Sequence, residues 1–216
     1  MRYYILSPLG RTGSQRIYRL IEDYLNRHTA NSKPFHLIDN KYNIPGTVKL
    51  QTGITEFEVK YDAEVQELLR RRKDNTAVHS NVMVFPPDLQ NWTIIHCVRK
   101  SKAEQIMSWS IASYTGEWSP EGKDIKFEPY AMEKEYVLEW HKIILNLDEK
   151  VKEMFPNRIE IFMEDDYHQI EQKISLIFSK NTIKDLDKYS ISNHRYPDLI
   201  TNYLDVFKWC GEEPPV

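Results

Sequence analysis

Residues 3–25 read YYILSPLGRTGSQRIYRLIEDYL, and no other stretch narrows the possible folds so far. The run from Tyr3 to Leu6 is too short and too uniformly apolar for an amphipathic helix and reads as a buried strand. From Ser14 to about Arg27, Ile17, Leu20, Ile21, Tyr24 and Leu25 recur at the i, i+3, i+4, i+7, i+8 spacing of a helix with one buried face. Between them lies a tight turn with Pro8, Gly10, Arg11, Thr12 and Gly13. Gly10 and Gly13 permit backbone angles that a Cβ forbids. Successive N–H groups of the turn, through Gln15, can then converge on one point, and the helix adds its positive end. Ser14 can cap that helix or bind a phosphate oxygen. Arg11 supplies a planar cationic fork suited to phosphate or sulfate, and Arg16 follows one turn inside. The turn therefore reads as an anion site; the alternative is a plain strand–turn–helix junction that the glycines only shape.

The turn is not a Walker A loop. That pattern needs four residues between its glycines and then Lys-Ser/Thr, whereas only Arg11 and Thr12 separate Gly10 from Gly13 and no lysine follows. A magnesium-nucleotide kinase is disfavoured on this ground. The strand-like IEIFMEDD, ending in Glu164, Asp165 and Asp166, argues the other way, because an acidic strand end can hold a metal. Helix capping by Asp165 or Asp166 is the simpler use of those carboxylates.

Further along, strands are expected at Phe35–Ile38, Ala77–Phe85, Thr93–Val98 and Ile159–Met163. Helices are expected at 62–72, 101–114, 130–154, 166–179 and 197–210, with turns or a hairpin over 40–60 and a polar loop over 115–128. Strands alternating with helices predict an α/β domain whose parallel sheet is covered on both faces. Ligands of such sheets sit at the carboxyl ends of the strands. The 216 residues fit a single domain spanning 1–216. A net charge of −3 argues against a general nucleic-acid surface while allowing a local basic pocket. Cys97 and Cys210 form neither a disulfide framework nor a zinc spacing. No apolar segment is long enough for a signal peptide or an anchor. A cytoplasmic protein with no membrane partner is expected.

A second informative stretch is TIIHCVRKSKAEQIMSWSIA. The strand ends in Arg99-Lys100, and Ser101 with Glu104 fits a capping box. Ala103, Ile106, Met107, Ile111 and Tyr114 form the buried stripe of the following helix. Ser108 lies off that stripe, on the side of Ser101. The basic strand end and Ser108 can clamp a second phosphate, or they are a solvated basic pair and a surface serine.

Together the two stretches resemble the nucleotide motifs of sulfotransferases that use 3′-phosphoadenosine-5′-phosphosulfate. Pro8-Leu9-Gly10-Arg11-Thr12-Gly13-Ser14 is similar to the family's phosphosulfate loop, P-x-R-[ST]-G-[ST], with one extra residue after the proline. The family's 3′-phosphate motif is an arginine at a strand end with a serine eight residues later. In the bacterial carbohydrate branch it reads like R-D-K-x-x-Q-A-x-S. Here Lys100 to Ser108 matches at Lys102, Gln105 and Ser108, and Tyr114 to Trp118 (YTGEW) is also similar to that branch. Lys100 stands where arginine is usual, with Arg99 one place earlier, so either can be the phosphate partner. FMEDDYHQIEQKISLIF is similar to the family's Y-E-D-L strand end and following helix. The likeness runs from residue 2 to about 180 and is dense only in these three places.

The resemblance implies a P-loop NTPase-like three-layer fold with a central parallel sheet flanked by helices. It implies 3′-phosphoadenosine-5′-phosphosulfate as cofactor, adenosine 3′,5′-bisphosphate as product, no required metal, and a hydroxyl acceptor, small molecule or carbohydrate. Nucleotide contacts would come from Gly10, Arg11, Thr12, Gly13, Ser14, Gln15, Arg99, Lys100 and Ser108. Arg195, in the late basic stretch SISNHRYPD, would fold over the 3′-phosphate, unless it lies in a plain surface loop. Arg11 would also act in catalysis. His79 in NTAVHSNVMVF is the first candidate for the base, as the small-molecule branch places a histidine in a comparable segment; the lysine of that branch's K-x-H is missing here. The alternatives for the base are His36 and Asp39, since the glutamate used by the carbohydrate branch is absent from NSKPFHLIDN. His79 is otherwise a hydrogen-bonded strand-end histidine. Cys97 lacks the arginine six residues later that a phosphatase loop needs and reads as a buried strand residue. Trp109 or Trp118 can border an acceptor pocket, although both also read as core. The competing functions are a magnesium-nucleotide kinase or phosphohydrolase, and a non-catalytic nucleotide-binding module.

Overall fold

The structure, a computed structural model, describes residues 2–18, 21, 76–80, 89–116, 128–175 and 196–215. The expected elements at 35–38, 40–60 and 62–72 lie outside these residues, as do His36, Asp39, Trp118 and Arg195.

Strands β1 (Arg2–Leu6), β2 (Thr76–Ser80), β3 (Thr93–Val98) and β4 (Ile159–Phe162) form a four-stranded sheet in the order β2-β1-β3-β4. Every neighbouring pair is parallel, so all four carboxyl ends emerge at one edge. From β1 the chain reaches β2 on one side and later β3 on the other. A crevice at the carboxyl edge is expected where strand order reverses in this way, and here that point lies between the ends of β1 and β3.

The helices are α1 (Lys102–Thr115), α2 (Lys134–Met154), α3 (Tyr167–Ser175), α4 (Tyr196–Leu199) and α5 (Tyr203–Cys210). Residues 14–18 and Ile21 are also helical. Strand side chains alternate between faces. Tyr3, Ile5, Ile95, Cys97 and Ile161 pack on one face against Ile17, Tyr18 and Ile21 of the first helical segment and Ile170 and Ile174 of α3. Each isoleucine fully buried there stabilises the fold by about 1.5–3 kcal/mol. His96, on the opposite face, meets Asp148 of α2 at 3.3 Å. Helices therefore flank the parallel sheet on both sides. A second core joins α1, α2, α4 and α5 through residues such as Met107, Ile111, Val137 and Phe207. No helix among the described residues is long and apolar enough to cross a membrane.

Several expected boundaries change, each for a tertiary reason. The single helix expected at 197–210 is broken into α4 and α5. Tyr130 bridges Ile200, accepting from Thr201 N–H and donating to Leu199 C=O. Asn202 also clasps the Met132 backbone, accepting from its N–H at 2.9 Å and donating to its C=O at 3.0 Å. The same bridge holds 130–133 extended, so α2 begins at Lys134 rather than near 130. Tyr114, expected on the buried stripe of α1, is 63% exposed and stacks on Tyr130 instead.

Candidate functional site

The turn after β1 is tightly wound. Gly10 N–H donates to Ser7 C=O at 2.9 Å, and the buried hydroxyls of Ser7 and Thr12 lie 2.5 Å apart. Leu9, Gly10, Arg11 and Gly13 all have positive φ, at 63°, 71°, 60° and 70°. For Leu9 and Arg11 this is a strained conformation that persists only when the surroundings enforce it. Leu9 packs against the core of α1 and α2, and Gln105 Nε2 donates to Gly10 C=O at 2.9 Å. Arg11 Nε donates to Ser108 Oγ at 2.8 Å. Helix α1 thus grips the turn at three consecutive residues. Gly13 has a separate reason to be glycine, since a Cβ there would meet Met163 Cγ at 3.1 Å. Gly10 N–H and the Thr12 hydroxyl shape the turn from within rather than face an outside anion. Ser14 is buried and Gln15 half-buried where the helical segment begins.

The second motif starts where β3 ends. Ser101 caps α1, its Oγ accepting from Glu104 N–H at 3.1 Å. The Glu104 carboxylate, expected to reach back in a capping box, turns to Arg99 instead, accepting from Nη2 at 2.5 Å. Arg99 Nη2 also donates to Tyr196 Oη at 2.9 Å, and the guanidinium carbon lies 5.8 Å from the Tyr196 ring centre. Arg99 Nε lies 3.9 Å from Glu164 and is buried without a hydrogen-bond partner among the described residues. Lys100 leads elsewhere. It is exposed, its N–H donates to the Glu164 carboxylate, and its ammonium sits 5.3 Å above the Phe162 ring.

Electrostatics links Arg99, not Lys100, to the turn. Burial lowers the Arg11 pKa from its ordinary value; Tyr196 opposes this and the charge of Arg99 adds to it. Burial also acts to lower the Arg99 pKa, but Tyr196 and Glu104 outweigh it and the net shift is upward. The half-buried Arg11 guanidinium, the buried Arg99 guanidinium and the Tyr196 hydroxyl therefore share one neighbourhood, and an anion brought between the two cations would relieve their mutual repulsion. Ser108 is buried, neither a surface serine nor a solvated one. His79 pairs in register with Ile5, which places its backbone near the carboxyl edge beside the strand that feeds the turn. Trp109 lines a small apolar crevice with Leu9, Gln105, Ile106, Trp140 and Ile144 next to the same turn.

Three features were invisible to local reading. Tyr196 has no motif to announce it. Glu212 caps α1 from afar, accepting from Lys102 N–H at 2.8 Å, Ala103 N–H at 3.3 Å and Ser101 Oγ at 2.6 Å. Behind β3, Lys102 Nζ donates to Asp148 at 2.6 Å and to Arg99 C=O at 2.8 Å. With His96 beside Asp148, a buried charged network supports the backbone at the second motif.

The acidic strand end has structural uses. Asp166 and Gln169 form a reciprocal capping box at the start of α3, each side chain accepting from the other's N–H at 2.9 Å. Asp165 accepts from Phe162 N–H and Lys173. Among the described residues no three His, Cys, Asp or Glu side chains gather as a metal site. Cys97 is a buried strand residue whose thiol pKa burial raises. Neither a scan against protein-family models nor a search of curated proteins finds a match to this chain.

Proposed function

We propose that this chain is a sulfotransferase that uses 3′-phosphoadenosine-5′-phosphosulfate and modifies a hydroxyl of a small molecule or carbohydrate, on a P-loop NTPase-like three-layer fold. The observation that carries this reading is the 2.8 Å hydrogen bond from Arg11 to Ser108. It joins the two motifs, predicted separately from sequence, at the carboxyl edge where strand order reverses.

The residues present suit a doubly phosphorylated nucleotide. Arg99 keeps a buried Nε without a hydrogen-bond partner among the described residues, and Arg11 is a half-buried cation near it. Bound there, the nucleotide supplies an activated sulfuryl group. Arg11, with Gly13, Ser14 and Gln15 around the turn, would hold the sulfonate and 5′-phosphate. Arg99 and Ser108 would hold the 3′-phosphate, with Lys100 nearby at the β3–β4 edge and Arg195 as the late basic contact. Transfer of this kind depends on positioning and on positive charge over the equatorial oxygens, which the guanidinium groups provide without a metal. His79 would take the acceptor proton.

Thermal melting tests the reading. At a hundredfold excess over Kd, a specific ligand stabilises by about 2.7 kcal/mol, roughly 5–10 °C for a chain of this size. Adenosine 3′,5′-bisphosphate should give that shift without Mg²⁺. A shift only with ATP and Mg²⁺ would instead indicate a kinase or phosphohydrolase. A bisphosphate shift with no turnover on any hydroxyl acceptor would indicate a binding module.

A further inference from the structure

Arg99 is closed in by its own chain. Its side chain is 7% exposed, against 21% for Glu104 and 32% for Glu164. Nη2 serves both Glu104 and Tyr196, while Nε faces Glu164 at 3.9 Å without a hydrogen bond among the described residues. The guanidinium charge is thus answered locally by carboxylate. A ligand that approached with both carboxylates in place would meet repulsion as well as attraction.

The two sides of the Arg99–Glu104 pair are not equally fixed. Arg99 is buried and held by the Tyr196 hydroxyl at 2.9 Å. Glu104 stands in the first turn of α1, where its backbone N–H is held by Ser101, but its carboxylate reaches solvent. Rotation about its side-chain bonds frees the guanidinium without disturbing the helix. Such an exchange favours an anion of high charge density. A phosphate monoester, carrying about −1.5 to −2 at neutral pH, outcompetes one carboxylate, whereas a singly charged group gains little.

We propose that Glu104 is a specificity-determining residue of this site: it is the built-in counter-ion of Arg99, and only a second phosphate on the ligand displaces it. This rests on the nucleotide-site reading given above and assigns Glu104 a role within that site. It makes Glu104 an opponent of ligand affinity, the reverse of what a residue that orients Arg99 for the ligand would be.

Titration calorimetry on the whole chain, with adenosine 3′,5′-bisphosphate and with adenosine 5′-monophosphate, separates these roles. Glu104→Gln keeps the side-chain shape and removes the charge. It should bind the bisphosphate about three- to tenfold more tightly than the unaltered protein. Affinity for the monophosphate should stay within about twofold. Glu104→Ala, which removes the side chain altogether, should move bisphosphate affinity the same way. Unchanged or weaker bisphosphate binding in both variants overturns the proposal and leaves the nucleotide site standing. Equal gains for both ligands also overturn it, because the effect would then be general charge rather than a second phosphate. An unaltered protein that binds neither nucleotide removes the nucleotide-site reading and this inference with it.

Discussion

Arg11 Nε donates a hydrogen bond to Ser108 Oγ at 2.8 Å across 97 residues of sequence. The bond ties a strained turn to the middle of α1. It sets a guanidinium that would orient a sulfonate beside a hydroxyl that would hold a phosphate. Its energetic weight can be measured. A hydrogen bond to a charged group contributes about 1.5–3 kcal/mol, so Ser108→Ala should weaken adenosine 3′,5′-bisphosphate binding roughly ten- to hundredfold. Arg11→Ala should cost at least as much. The double variant should lose less than the sum of the two, because each substitution removes the same bond. Strictly additive losses in calorimetry would mean that the two residues act independently.

His79 stands apart from nucleotide binding in the proposed reaction. His79→Ala should lower turnover about 10²–10⁴-fold, the usual contribution of a general base, while bisphosphate affinity is unchanged. Full turnover in that variant transfers the role to His36 or Asp39.

Gly13 and Gly116 offer a matched pair. Both have φ near +70°, but a Cβ at Gly116 meets nothing within 4 Å among the described residues, whereas one at Gly13 meets Met163 Cγ at 3.1 Å. Gly116→Ala should lose only the cost of the left-handed conformation, about 1–2 kcal/mol. Gly13→Ala should lose more, and Met163→Ala in the same chain should restore part of the difference. Urea denaturation reads both; equal losses would show that Met163 yields freely.

Asp148 predicts a pH dependence of stability. Burial alone would raise its pKa, but His96 and Lys102 outweigh that and hold it below the ordinary carboxylate value of 3.8. A depressed folded-state pKa contributes stability that is fully present above the unfolded value and is lost as pH falls through the folded one. Asp148→Asn should therefore destabilise strongly at pH 7, by about 3–5 kcal/mol as for breaking a buried pair. The gap between the variant and the unaltered protein should narrow only as pH drops below about 4. A gap that stays constant from pH 7 to pH 3 would place the stabilisation elsewhere.

The sites that local reading found are those whose signals span a few residues. β3 emerged as expected at Thr93–Val98, and α1 began after its Ser101 cap. Asp166 was one of the two expected caps for α3. Arg11 and Ser108 were legible as separate candidates for anion binding, but nothing in either stretch said that they touch. Arg99 and Lys100, adjacent at the strand end, were both open as the phosphate partner. The structure separates them because successive residues leaving a strand point to opposite sides; one meets Tyr196 and the other Phe162.

The sequence by itself determined where β3 and α1 begin, which turn needs glycine, and which cations stand at strand ends. All of these are set by periodicity, capping and backbone sterics within one or two turns of chain. Only the tertiary structure decided that Glu104 pairs with Arg99 rather than closing a capping box, that Glu212 caps α1, and that Tyr130 breaks the last helix in two. The reason is connectivity. A parallel sheet returns each strand through a long crossover, so neighbours at its carboxyl edge are separated by scores of residues and leave no mark on one another's local sequence.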